Sequence, residues 1–487
     1  MTISDDIHQL IHALSQSEKR YFRIFASLHV KGEQNNYLKL FDAISKQPVY
    51  DEAALVKAFA GQKFTEQFSV TKNYLYNIIL KSLRSYYSGN DISSKINEGI
   101  ESAKILFGKG LYKKSAQILK KQKQLARQYE QYEQLLIILQ LEGEVMYRYL
   151  NPEKLYAYLE EAGAEIQEIF RIMENLNTII RLEDEIYKLY RKQSVARSEE
   201  DLEPFNQIIN HELLKDGGNT LSLKARSSYF DIFATYHTVK NDYLATSRFE
   251  EEKIGLFEDN PHYRKENLSE YIGALNNLVI VYSELDKEQL FHETIARMRA
   301  IPKKHPNINQ TLQAKIFETT YNLELDYYDR RKDYKSGRKL IADVEAGIEK
   351  YRPVLMDDFI VVMQFTISKL LFFSGHIDEA HDWVSRIVYD GQESGADDYL
   401  CFARILNLLI HFELGNDELL KYEIKATQRF LVKKKQFYKM EKTILRSLNS
   451  LVQTKDPSKR TKLLQKFYHQ LTQTSEQPFE EHAQAIL

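Results

Sequence analysis

The chain has 487 residues, with 67 Lys/Arg against 69 Asp/Glu, a net charge of −2 and 43% hydrophobic residues. This balance belongs to an ordinary folded chain and excludes a collagen-like or highly charged disordered one. A single cysteine, Cys401, excludes an intramolecular disulfide and a multi-cysteine metal site.

The first residues carry Asp5 and Asp6 and no apolar core, which is not the pattern of a secretory signal. No stretch approaches the ~18 apolar residues of a membrane span, so the expected address is cytoplasmic. A short helix is predicted from about Asp5 to Leu14, followed by Ser15 and Glu18 at capping-box spacing. The next helix carries Tyr21, Phe22, Phe25 and Leu28, and a third carries Tyr37 to Ile44. Asp51 caps a helix that ends at Gly61, and a long helix from about Glu66 to Tyr87 stops at Ser88-Gly89-Asn90-Asp91. Residues 1–92 therefore read as a small helical domain or cap. The Asp51–Ala60 helix, the turn at Gly61 and the basic helix after it form a loose helix-turn-helix pattern. In that reading Lys63, Lys72, Lys81 and Arg84 face phosphates, and Asn73 and Asn77 reach base edges.

From about residue 93 turn signals recur every 40 to 46 residues. They sit at Lys109-Gly110, Asn151-Pro152, Arg197-Ser198, Asn241-Asp242, Leu285-Asp286, Lys332-Asp333, Gly375, Gly415 and Asp456-Pro457. The segments between them are helical in pattern, and nine prolines and 18 glycines are few for this length. Self-similarity at that period is the mark of stacked helical hairpins, none of which can bury its apolar face alone. The expected fold is all-α: a repeat array over residues 93–472 and a C-terminal tail over 473–487. The 32 tyrosines and 25 phenylalanines suit helix seams and recognition surfaces equally.

Within the array, Ala103, Leu106, Gly110, Tyr112, Ser115 and Leu119 fall at fixed offsets. Ser368, Leu371, Gly375, Ile377, Ala380 and Val384 repeat them, and Ala234 and Thr246 keep the small pair. Helices packed ~8–10 Å apart require small residues where their axes cross. This pattern resembles the tetratricopeptide (TPR) family, and Ala274-Leu275-Asn276-Asn277-Leu278 with Tyr282 is similar to its kinesin-light-chain type. Around Lys332 the pair is Leu325 and Gly337, around Gly415 it is Leu408 and Leu420, and the period exceeds the family's 34 residues. The resemblance implies a right-handed superhelix of about eight hairpins whose concave groove holds a protein or peptide. By position it implies Asn277, Phe230, Tyr321 and Gln364 as partner-binding residues.

Charge is uneven along the chain: +9 over residues 1–128, −19 over 129–420 and +11 over 421–466. Basic ends flanking an acidic middle fit an acidic partner, neighbouring subunits meeting end to middle, or solvated helix faces. The densest basic stretch holds Lys104, Lys109, Lys113, Lys114, Lys120, Lys121, Lys123 and Arg127, bordered by Tyr112 and Tyr129. Lysines interleaved with aromatics suit single-stranded nucleic acid. The alternative expectation is a peptide- or partner-sensing regulator whose basic N-terminal helical domain contacts nucleic acid, with Lys113, Lys114, Lys120, Lys121, Lys72 and Arg84 as candidate contacts, a layout similar to the peptide-sensing TPR regulators of bacteria.

Catalytic signals are lacking. His8 and His12 share a helix face without a third ligand, and His376 and His381 sit among turn residues. Gly108-Lys109-Gly110 lacks the spacing of a phosphate loop. No enzyme, cofactor or metal site is expected. The leading expectation is a cytoplasmic scaffold or adaptor.

Overall fold

The computed structural model describes residues 3–29, 36–87, 91–215, 218–305, 308–390 and 395–475. Among them are 24 α-helices and no strand. No helix among the described residues is long and apolar enough to cross a membrane. The chain divides into two compact units, Met1–Leu268 and Ser269–Leu487. Residues 476–487, most of the expected tail, lie outside the described residues, as do Ser88-Gly89-Asn90.

The first unit begins with five helices: Ile3–Ala13, Gln16–His29, Asn36–Ser45, Glu52–Ala58 and Phe68–Tyr87. Their caps are the expected ones. The Ser15 amide donates to Glu18 Oε2 at 2.7 Å while the Glu18 amide donates to Ser15 Oγ at 3.3 Å. Asp51 accepts from the Ala54 amide at 2.9 Å. Ile7, Ile11, Phe22, Leu40, Phe41, Ile44, Leu75 and Ile79 make the core beneath these helices.

Hairpins follow. Ile92–Gly108 packs on Tyr112–Gln128, and Tyr132–Tyr149 packs on the latter. The first of these buries Ile92, Ile96, Gly99, Ile100 and Ala103, an apolar stripe at helical spacing. Leu223–Val239 pairs with Tyr243–Asp259. Between the turns at Asn151 and Ser198 the chain forms one helix of 41 residues, Pro152–Lys192, capped by Asn151 and started by Pro152. The only glycine on that helix, Gly163, has no close neighbour over its α-carbon and does not break it.

In the second unit Leu268–Glu284 is followed by Glu288–Lys304, and Gln310–Arg330 by Tyr334–Arg338 and Ile341–Tyr351. Asp357–Phe373 pairs with Ile377–Ser385, whose last turn widens into a π-helix over Arg386–Asp390. Asp397–Glu413 pairs with Asp417–Lys434, and Lys439–Gln453 with Pro457–Ser475.

The turns share one geometry. Gly110, Glu130, Asn241, Asp286, Lys332, Gly375, Gly415 and Lys435 all have positive φ. The amide after each donates to the carbonyl five residues earlier at 2.8 to 3.0 Å, as in Leu111 to Leu106 and His376 to Leu371. This is a Schellman closure, which satisfies helix-end carbonyls through one left-handed residue. Six of the nine expected turns are of this kind. Asn151, Ser198 and Asp456 are instead N-caps of the next helix.

Seven residues before and five after five of these turns, the chain buries a residue on each helix of the hairpin. Ala103 goes with Ser115, Ala234 with Thr246 and Ser368 with Ala380, and all six are buried. Ser115 Oγ donates to the Ala103 carbonyl at 2.9 Å. Leu325 with Gly337, and Leu408 with Leu420, occupy the same positions and are buried too.

Two carboxylates in the first unit reach much farther. Glu130 accepts from the Leu223 amide at 3.0 Å, at the start of the Leu223–Val239 helix. Glu266 accepts from the Ile92 amide at 3.3 Å, at the start of the first hairpin. Both place negative charge on a helix N-terminus.

Candidate functional surfaces

Ion pairs and hydrogen bonds join like parts of successive hairpins. In the second unit Arg330 donates to Glu284 at 2.9 Å and to Ser283 Oγ at 2.8 Å, first helix to first helix. Lys369 meets Asp329 at 3.0 Å in the same way. Arg338 meets Glu379 at 2.7 Å, and Arg386 meets Glu345 at 2.9 Å, second helix to second helix. In the first unit Gln134 donates to Ser93 at 3.2 Å, and Asn175 donates to the Asn219 carbonyl at 2.7 Å. Each of these bonds spans close to one sequence period.

The four residues implied as partner-binding fall on first helices. Counted back from the left-handed turn residue, Phe230, Tyr321 and Gln364 occupy the same register position, eleven residues earlier. Asn277 lies nine residues before its turn, and the position equivalent to the other three is Leu275, fully buried. Asn277 itself is exposed. Phe230 is 4% exposed, with the Arg226 guanidinium 4.8 Å from its ring centre. Tyr321 is half-buried, with Arg299 3.7 Å above its ring and its hydroxyl 3.4 Å from Asp343. Gln364 is half-buried, and its backbone carbonyl accepts from the Ser368 hydroxyl at 2.7 Å.

Of the basic residues, Lys113, Lys114, Lys120, Lys121 and Arg84 are exposed. Lys72 is 4% exposed; its ammonium bonds to Glu52 and lies near the rings of Tyr50 and Phe68. It sits inside the N-terminal helical bundle, away from any phosphate-facing surface. The Lys63 side chain lies outside the described residues. In the dense basic stretch Lys104 pairs with Glu101, Lys123 with Glu142 and Glu165, and Arg127 with Glu165. Lys109, Lys113, Lys114, Lys120 and Lys121 form no ion pair among the described residues. The nearby aromatics are engaged: Phe107 packs on Tyr112 at 5.5 Å, and Tyr129 on His262 at 5.5 Å.

Buried polar networks were not foreseen from sequence. Lys123 Nζ lies 3.0 Å from Glu142 and 2.9 Å from Glu165, and the Tyr158 hydroxyl donates to Glu142 at 3.0 Å. Burial, then the Glu142 charge, raises the Tyr158 pKa. Arg299 meets Glu324 at 2.7 Å, and His292 lies 3.4 Å from the same carboxylate. Burial, then Glu324, pushes the Tyr328 hydroxyl up to about 12. Glu183 is raised by burial first and by Asp231 second, and Lys253 holds Asp231 at 2.5 Å. These networks neutralise charge where helices meet. Each partner looks like a solvated helix charge in sequence, and the pairs share no fixed offset that would link them, Lys123 and Glu142 lying 19 residues apart and Lys253 and Asp231 22.

Two clefts open on helix surfaces. One, of about 430 Å³, is lined by residues of Ile92–Gly108 and Tyr112–Gln128, and the other, of about 600 Å³, by Asp417–Lys434. Neither wall carries an acid, a histidine or a cysteine. Cys401 is buried, and burial followed by Asp397 and Asp398 pushes its thiol up to about 12. His8 Nε2 lies 2.8 Å from the Gln47 carbonyl, and His381 packs on His411 at 4.9 Å. Among the described residues no three His, Cys, Asp or Glu are placed to hold a metal ion.

No protein-family model matches this chain, and no curated protein matches it.

Proposed function

We propose that the chain is a non-catalytic cytoplasmic scaffold or adaptor, built as a right-handed TPR-like array whose groove holds a protein or peptide. The observation that carries this reading is the series of bonds spanning one sequence period. First helices are tied to first helices and second to second, so that equivalent residues recur along a face. A face of recurring positions suits an extended partner, and amide side chains such as Asn277 and Gln364 can hold a peptide backbone in register.

Crosslinking from native lysate, with and without nuclease, tests the proposal. A protein partner should be recovered in both cases and lost on Asn277→Ala or Tyr321→Ala. Recovery unaffected by either substitution, or abolished by nuclease, defeats it.

The second reading, a partner-sensing regulator whose basic N-terminal helical domain contacts nucleic acid, draws on the exposed Arg84 and on the exposed Lys113, Lys114, Lys120 and Lys121. It requires retention on DNA that falls steeply with salt. Lys72 has no part in it.

A further inference from the structure

The 430 Å³ cleft on the Ile92–Gly108/Tyr112–Gln128 hairpin takes its walls from those two helices alone. Leu106 and Ile118 make an apolar floor beside Gly99, and Lys114 and Lys121 stand on the rim. Seven residues separate the two lysines, so they share a helix face roughly 10 Å apart. Both are exposed and form no ion pair among the described residues. Gln122 packs over Gly99 in the same cleft, and its buried side-chain oxygen has no hydrogen-bond partner. The cleft thus lacks two things an incoming helix would bring: negative charge at two-turn spacing and an apolar ridge.

This chain carries such a helix. On Pro152–Lys192, Glu153 and Glu160 are also seven residues apart, exposed and without an ion pair among the described residues. Tyr156 between them is 69% exposed and Leu159 is 46% exposed, next to the bare Gly163. Tyr156 supplies an apolar ring. Exposed apolar residues aligned on one helix face and rimmed by charge are typical of a covered surface. We propose that a second copy of this chain lays its Pro152–Lys192 helix in the cleft, with Glu153 and Glu160 meeting Lys114 and Lys121.

A nucleic acid fits the cleft less well. Its floor is apolar, and the aromatics nearest it, Phe107 and Tyr112, pack on each other and offer no platform for bases. The pairing is independent of the groove-binding reading, because its residues lie outside the positions proposed to hold a partner.

Charge reversal tests it. Sedimentation velocity of the full chain over a concentration series should show a self-associated species that weakens with added salt. Lys114→Glu with Lys121→Glu, or Glu153→Lys with Glu160→Lys, should each weaken association about tenfold or more. Mixing the two variants should restore it, because each then offers the charge the other lacks. Leu159→Arg gives a second route to the same loss, and far-UV circular dichroism checks that every variant remains helical. A wild type that is monomeric throughout overturns the proposal, whether or not it binds a single-stranded oligonucleotide. So does association that ignores the reversals, or a mixture that stays dissociated.

Discussion

Gly347 and Gly337 each lie directly against a side chain of a neighbouring helix. A β-carbon on Gly347 would stand 2.0 Å from Phe317 Cε2, and one on Gly337 would stand 2.2 Å from Leu370 Cδ1. An aromatic ring in a packed core moves as a whole, whereas the end of a leucine can rotate aside. Gly347→Ala should therefore cost about 1–3 kcal/mol in urea unfolding, with Gly337→Ala costing less. The reverse order would contradict the packing described. His411 gives a second residue-scale outcome. Burial first, then His381, lowers its pKa below the ordinary 6.5, so the folded chain prefers it neutral. Its contribution is complete above the unfolded pKa and is lost as pH falls through the lower folded one. His411→Gln should therefore flatten the decline in stability between pH 7 and pH 5, by up to ~1.4 kcal/mol per pH unit. Thermal melts across that interval measure it.

Among elements, the Schellman turns decide where hairpins fold back. Gly375 has φ 81° and Lys332 has φ 56°, so the same backbone shape is held once by glycine and once by a side chain that resists it. Gly375→Ala should cost about 1–2 kcal/mol, and Lys332→Gly should cost less or stabilise. Equal losses in chemical denaturation would mean that the left-handed residue does not govern the turn. These turns were also the most readable feature of the sequence, because Gly, Asn and Asp tolerate positive φ. The Glu130 turn was missed because glutamate gives no such signal; its left-handed conformation goes with a carboxylate that caps a distant helix. Asn151 and Ser198 were legible as breaks. They begin helices rather than close hairpins, and nothing between them interrupts the 41-residue helix. The crossing pairs were legible because small side chains at a fixed offset have few other uses. Lys72 was misread because its partner Glu52 lies 20 residues earlier, across a turn that sequence spacing does not resolve.

At the scale of the molecule, the chain divides into two compact units, Met1–Leu268 and Ser269–Leu487. Calorimetry should therefore give an unfolding enthalpy larger than the van 't Hoff value. Gly347→Ala should shift only the transition of the unit that contains it. A single transition with matching enthalpies would show the chain melting as one body. The candidate surfaces were less legible than the fold. A lysine paired with Glu165 and one left unpaired on a cleft rim are identical in composition, and only the folded neighbours separate Lys123 from Lys121.

The carboxylate of Glu266 has a consequence for how the chain is made. Most bonds between hairpins bridge about forty residues, so each piece can settle soon after it leaves the ribosome. The Ile92 amide must wait for a residue 174 positions downstream. At roughly 5–20 residues per second that interval is on the order of ten seconds or more. Throughout it Asp91, which accepts from the Ser94 amide at 2.8 Å, is the local cap of that helix, and the Ile92 amide is left to water.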